Sequence, residues 1–518
     1  MNTKDFSKMA ILDQSVLQKA EKGRFFVDKD YNLNKARLVV PKGMTIDLSG
    51  GSINNGTIVL DDTLLENMST GCIDAKVEGT ISNKEIFTSH FSSANNLRLD
   101  DYSGLVINYD QDETITSTII LSGTNVNGNT NTVFNGQGHN FTCNETFFSI
   151  KYGSKNVTIK NFNAVANVSG KTFEEMVSSD GEMSGIHILN NIVDGFKIGI
   201  SLNNDSGNDN NKVSYCTVSG NVIRNCPGSV SGSGYGIHLA KAQHCTITEN
   251  EVVNCERHAI YHGYGEYNTI SNNIIRNHCQ NLTTYNLLAA LEIGRKSNYV
   301  TVSGNTFTNC NNVCLLVYSP LSSNDSDGST HPWRYGECKN IVIQNNGFYK
   351  GNLTGSIGNL PFIYIGVEGT PYSTLLTNNT VVKNVQILNN TFHKYGGENQ
   401  KCIRIHQCED LEIKSNSFLL GLPSSALTND FLVIDIPNNY ISGNVSSIKI
   451  EQNIFTYLTT GIGNLYLIGE NMSFVTSSNS PYFTIDWKYN TLLNQTIGGN
   501  TMYQLSKYPL GNNFNYIP

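Results

Sequence analysis

Thr246-Ile247-Thr248-Glu249-Asn250-Glu251-Val252-Val253-Asn254-Cys255 is followed 23 residues on by Thr269-Ile270-Ser271-Asn272-Asn273-Ile274-Ile275-Arg276-Asn277-His278. Both follow one pattern, apolar–x–apolar–x–x–Asn–x–apolar, in which the first apolar place is sometimes lost. It recurs with Asn191, Asn221, Asn250, Asn273, Asn305, Asn346, Asn390, Asn416, Asn453 and Asn490 in the Asn place. The shortest interval is the 23 residues just quoted, and the longest, Asn346 to Asn390, is 44. A fixed minimum with variable additions is the signature of a solenoid whose loops emerge at one corner. Three short strands and three turns fit into about 20–25 residues at about 3.3 Å per strand residue. The repeated Asn is expected at a sharp corner, where its amide tolerates left-handed backbone angles and stacks on the Asn of the next coil. Two residues beyond it stand Val193, Ile223, Val252, Ile275, Phe307, Phe348, Phe392, Phe418, Phe455 and Leu492, an apolar column that turns aromatic halfway. Five beyond it stand Cys226, Cys255 and Cys310, with His278 on the intervening coil. That column reads as buried small residues rather than a metal site, and it leaves the redox compartment open.

Outward from this core the chain is uneven. Ser7 to Glu21 reads as one amphipathic helix, with Met9, Ile11, Leu12, Val16, Leu17 and Ala20 on one face, Ser7 as cap and Gly23 as stop. It suits the end of a solenoid, which needs a cap. Four segments follow: helix and cap over 1–23, opening coils over 24–150, the β-helix core over 151–460, and C-terminal coils or a cap over 461–518. Polar insertions at 321–333 and 351–360 are expected to wall a groove. The 518 residues are 39% hydrophobic and 15% charged, with 46 Gly and 11 Pro, a composition natural to β-structure with polar turns. A net charge of −8 disfavours nucleic acid as partner. No run approaches the ~18 apolar residues that span a bilayer. Met1-Asn2-Thr3-Lys4-Asp5-Phe6 shows no signal-peptide pattern.

The ladder His187-Ile188-Leu189-Asn190-Asn191, Thr246-Ile247-Thr248-Glu249-Asn250, Thr269-Ile270-Ser271-Asn272-Asn273, Thr301-Val302-Ser303-Gly304-Asn305 resembles the repeat of the pectate-lyase-like superfamily. The resemblance implies an all-β fold, a right-handed parallel β-helix (a single-stranded solenoid), here with an N-terminal capping α-helix. It covers about residues 150 to 460. The superfamily holds polysaccharide lyases, glycoside hydrolases, epimerases and phage tailspikes, so the likeness names no single activity. Lys42-Gly43-Met44-Thr45-Ile46-Asp47-Leu48-Ser49-Gly50-Gly51 with Asn55-Gly56-Thr57-Ile58 resembles the opening of β-helix tail proteins from phages of gut Bacteroidetes. That likeness implies an extracellular or virion tail location and a homotrimer.

Aligning the run after each corner places Ile237, Ile260, Leu291, Leu315, Ile363 and Ile403 inward. His238, Tyr261, Glu292, Leu316, Tyr364 and Arg404 then point outward, one strand spacing of ~4.8 Å apart. Lys241, Tyr264, Arg295 and Ser319 form a second column, Tyr235 and His258 begin a third, Glu256 and Arg257 lie at the edge, and His262 faces inward. His238, His258, Tyr261, Glu292 and Arg295 are the candidate catalytic residues. Tyr235, Lys241, Glu256, Arg257 and Tyr264 are the candidate substrate-binding residues. A uronate lyase would use Arg295 or Lys241 to neutralise the sugar carboxylate, His238 or His258 as base, and Tyr261 as base or acid. A glycoside hydrolase would need two carboxyl groups about 5–9.5 Å apart, with Glu292 and either Glu256 or Glu266 as the available pair. A virion or adhesin shaft that only holds glycan would use the same Tyr and His rings for stacking. Calcium-assisted lyases of the superfamily use clustered acidic side chains; none stands on these coils, so the sequence requires no metal or cofactor.

Overall fold

A computed structural model describes residues 5–20, 23–121, 130–167, 175–179, 181–204, 212–228, 233–278, 289–319, 336–350, 361–367, 382–395, 401–405, 408–422, 431–436, 446–459, 464–470, 483–496, 502–506 and 514–517. The insertions expected at 321–333 and 351–360 lie outside the described residues. Contacts group the chain into two compact units, Met1–Phe196 with Ser214–Val222, and Lys197–Val213 with Ile223–Pro518.

The second unit is a parallel β-helix, each coil giving one strand to each of three parallel sheets. The first sheet holds Thr246–Thr248, Glu266–Ser271, Asn298–Ser303 and their successors; the second holds Glu251–Val253, Ile274–Arg276, Thr306–Thr308 and theirs. The third begins Ile198–Leu202, Tyr235–Ala240, His258–Gly263, Ala289–Gly294 and Val313–Ser319. Parallel crossovers of this kind take the right hand because strand twist favours it. Coils continue through Phe483–Lys488, Thr491–Thr496, Met502–Ser506 and Phe514–Ile517.

The asparagine ladder is built as a chain of amides. Asn273 Nδ2 and backbone N both donate to Asn305 Oδ1, at 2.9 and 3.0 Å, and Asn305 repeats the pattern on Asn346 at 3.0 and 2.9 Å. The second Nδ2 hydrogen caps a strand carbonyl, as Asn273 does on Ile247 at 3.0 Å. These side chains are buried, so every donor satisfied here removes a penalty of about 1–3 kcal/mol. One expectation is corrected. The left-handed backbone belongs to the residue before the ladder Asn, with φ 58° at Glu249, 56° at Asn272, 57° at Asn345 and 55° at Asn389. The ladder Asn itself is buried because the turn has already been made. The column two residues on is interior as expected, and Phe307, Phe348, Phe392, Phe418 and Phe455 stack at 4.7–4.9 Å. Cys226, Cys255, His278 and Cys310 are buried too.

In the first unit, parallel strands also predominate, as in the pairing of Ile53–Glu66 with Ile73–Ile81. The single helix expected from Ser7 to Glu21 does not form. Phe6–Lys8 is a 3-10 turn, Ala10–Ile11 pairs with Tyr31–Asn32, and the α-helix is the single turn Gln14–Leu17. Asp13 explains it: its side chain accepts from the backbone N–H of Ser15 and Val16, so the helix starts there and not at Ser7.

Candidate functional site

Tyr235–Ala240, His258–Gly263 and Ala289–Gly294 are successive neighbours in the third sheet. Their register pairs Tyr235 with His258, His238 with Tyr261, and Tyr261 with Glu292. His238, Tyr261 and Glu292 therefore share a column, while Ile237, Ile260 and Leu291 are buried inside. His262 also faces the interior. Its Nε2 accepts from Asn268 Nδ2 at 2.9 Å and its Nδ1 donates to Ser297 Oγ at 3.2 Å. Strict alternation would turn Tyr235 and His258 inward as well, yet they stand with His238 and Tyr261. The reason lies at Gly236. A Cβ there would meet Val252 Cγ1 at 2.6 Å and Cys255 Sγ at 3.1 Å, both interior atoms. Two consecutive inward positions thus open the strand and swing its first residue back out. Small residues in that place on three coils (Gly236, Ala259, Ala290) are the sequence signal of this step, one that alternation alone does not reveal.

Four rings meet on the outer face. Tyr235 stacks on His258 at 5.3 Å, and Tyr261 lies 5.7 Å from Tyr235, 5.6 Å from His258 and 5.1 Å, edge-on, from His238. The Arg257 guanidinium sits 5.4 Å over the Tyr235 ring. Ser201 Oγ is 3.3 Å from His238 Nδ1, a contact not anticipated. His258 Nδ1 lies 2.9 Å from the Ala289 carbonyl, which can only accept, so that nitrogen carries hydrogen. His258 Nε2 lies 3.2 Å from Glu292 Oε2, and both side chains are buried. Two lone pairs do not face each other unassisted at that distance, so one proton lies between them. Burial, then the positive Arg257 beside it, holds His258 well below the usual histidine range. With His258 disfavoured as the charged partner, the Glu292 carboxyl group is the neighbouring group that can hold the shared proton.

The remaining candidates fall outside this cluster. Lys241, Tyr264 and Arg295 do not lie on the flat face; their φ values of 51°, 56° and 53° place them where the chain turns out of the sheet. Lys241 is buried there, at 6% exposure. The Arg295 guanidinium lies 5.3 Å over the Tyr264 ring, bonds the Tyr264 hydroxyl, and donates from Nε to the Tyr318 hydroxyl at 3.3 Å. Tyr318 reaches across Gly294, where a Cβ would stand 2.2 Å from its ring. Glu256 belongs to a neighbouring cleft of about 410 Å³, lined by Asn225, Cys226, Pro227, Asn254, Cys255 and Asn277. Its Oε2 accepts from the Gly228 N–H at 2.7 Å. Past Glu292 the outward column turns apolar and buried at Leu316 and Tyr364. Among the described residues, no three His, Cys, Asp or Glu side chains converge as metal ligands, and no helix is long and apolar enough to cross a membrane. His331 lies outside the described residues.

No family model and no curated sequence matches the chain. Among solved structures it is similar to the catalytic domain of a GH87 alpha-1,3-glucanase, with 13% identity, 83% of this chain and 68% of that chain covered, and a TM-score of 0.41. It is also similar to the A-module of the Azotobacter vinelandii mannuronan C-5 epimerase AlgE4, with 11% identity, 77% and 91% coverage, and a TM-score of 0.42. A third similarity is to ORF18 of Geobacillus virus E2, with 13% identity, 68% and 54% coverage, and a TM-score of 0.30. At these identities the chemistry rests on the residues.

Proposed function

We propose that this protein binds and cleaves an extracellular or capsular polysaccharide by β-elimination at a uronate residue. The observation that carries the reading is the His258–Glu292 pair, one buried proton held beside Tyr261 on a ring-lined face. In the lyase reaction a base removes the proton at C5, the electron pair forms the C4–C5 double bond, and the C4–O bond breaks. The leaving oxygen then takes a proton. Glu292 supplies that proton, and half-exposed His238, beside Ser201 and Tyr261, takes the one from C5. Arg257, which lies over the Tyr235 ring, suits the sugar carboxylate better than Lys241, which is buried at the corner. His258 serves as the partner of Glu292 and not as the base, because its Nδ1 is committed to a backbone carbonyl. Hydrolysis is disfavoured because, among the described residues, the ring cluster holds one carboxyl group where two are normally needed.

The setting that accompanies this reading is extracellular, secreted or on a virion tail, with three chains per assembly. It is supported by the likeness of the opening coils to phage tail proteins, and a sedimentation mass other than three chains removes the trimer. The activity test is digestion of a panel of uronate polymers. The expected result is ultraviolet absorbance from an unsaturated product, with Glu292→Gln lowering turnover by about 10²–10⁴-fold at unchanged fold. New chain ends without that absorbance would mean hydrolysis. Binding without any cleavage would leave a glycan-holding shaft.

A further inference from the structure

The cleft beside the rings is lined by a second column of asparagines. Asn225, Asn254 and Asn277 occupy equivalent corner positions on three successive coils, each in the left-handed region, with φ 55°, 55° and 54°. Asn254 Nδ2 donates to Asn225 Oδ1 at 3.0 Å, which closes the first rung of a second amide ladder. The next rung is open: among the described residues no hydrogen bond joins Asn277 to Asn254, and the Asn277 side chain has no partner. The ladder at the other corner shows the contrast, since Asn250, Asn273 and Asn305 are bonded rung after rung at 2.9 Å. The open rung lines the 410 Å³ cleft, whose other polar wall is Glu256 and whose floor includes buried Cys226 and Cys255.

We infer that this cleft is a second sugar position that takes an uncharged residue of the glycan through a vicinal pair of hydroxyl groups. One hydroxyl fits the open rung, donating to Asn254 Oδ1 while accepting from Asn277 Nδ2, and its neighbour donates to Glu256. Among the described residues Glu256 is the only charged side chain lining the cleft, so a uronate carboxylate placed there would meet a like charge. Arg257, the residue after Glu256, lies over the Tyr235 ring. A sugar in the cleft thus leads directly to one on the rings. The inference rests on the proposed function for the identity of the ligand as a glycan, but not on lyase chemistry.

The test uses the full chain and calorimetric titration with defined neutral oligosaccharides (gluco-, manno- and galacto-), alongside uronate oligosaccharides. Asn254→Gly/Asn277→Gly removes both amides while keeping a residue suited to the backbone angle. The expected result is that wild type binds at least one neutral oligosaccharide and the double variant binds it about tenfold more weakly, at an unchanged melting temperature. Glu256→Gln is expected to relax the bias against uronate in competition with that neutral ligand. Equal affinity of wild type and double variant for every neutral ligand overturns the cleft assignment while cleavage by Glu292 stands. Loss of ultraviolet product in wild type with the cleft results intact sinks the lyase reading and leaves the cleft. Failure of wild type to bind any member of either series overturns both.

Discussion

His258 and His262 are four residues apart on one strand, both buried, and both unable to charge freely, yet their surroundings give them opposite uses. His262 is satisfied at both nitrogens by Asn268 and Ser297, inside the wall. Its Nε2 accepts, so a second proton would break the Asn268 bond as well as bury a charge, and its pKa is pushed down to about 4, chiefly by burial. His258 has a carboxyl group opposite Nε2, on the outer face. His262→Ala is therefore expected to lower stability by about 2–4 kcal/mol in chemical denaturation while leaving the pH dependence of turnover in place. His258→Ala is expected to change that pH profile, because Glu292 loses the neighbour that fixes its proton. Equal effects of the two substitutions on the profile would remove His258 from the site.

At the scale of strands and corners, the periodic features were legible in the sequence and the aperiodic ones were not. Ile247, Ile270 and Val302, or Phe307, Phe348 and Phe392, repeat at every coil, so their inward direction followed from spacing alone. The Asn place was legible for the same reason, but its backbone angle was assigned one residue late, because Glu249 and Asn272 carry the turn with no common side chain to show it. The doubled inward step at Gly236 left no periodic trace. Lys350 and Lys394 carry no periodic signal either. They follow Phe348 and Phe392 by two residues, where other coils turn with Asn254 or Asn277, and the strand continues there and carries the amines inside, over the Phe362 ring. The ladder itself offers a sharp test. Asn305→Ala removes the acceptor of the Asn273 backbone N–H and the donor to the Ile270 carbonyl, both buried. It is expected to cost about 3–5 kcal/mol in urea unfolding, whereas Asn277→Gly at the open ladder is expected to change stability by less than about 1 kcal/mol.

Across the larger unit, these buried groups set where in pH the β-helix is most stable. On the acid side, His262 and His278 both sit near about 4, lowered from 6.5 by burial. Between those values the unfolded chain binds more protons than the folded one, so stability falls as pH drops from 6.5 to 4, by about 3 kcal/mol for each histidine. Lys394, lowered from 10.5 to about 7 by burial and then by Lys350, acts above that range. Its folded form gives up the proton first, so stability rises from pH 7 upward, and the buried charge carries its full cost below pH 7. On the alkaline side, burial raises the thiols of Cys338, Cys402 and Cys408 above their ordinary value of 9.0, with Cys402 at about 12. The unfolded chain loses those protons first, so above about pH 9 three thiols pull stability down against one lysine pushing it up. The unit is therefore expected to be most stable near pH 9, well above the sequence pI of about 5.8. Lys394→Met separates the contributions. It is expected to raise the urea midpoint by the equivalent of several kcal/mol at pH 6, by less at pH 9, and not at pH 10.5, with the alkaline limb descending more steeply between pH 9 and 10.5 because the opposing lysine is gone. A gain of equal size at all three pH values would mean that Lys394 is charged in the folded chain throughout and that the rise between pH 7 and 9 has another source.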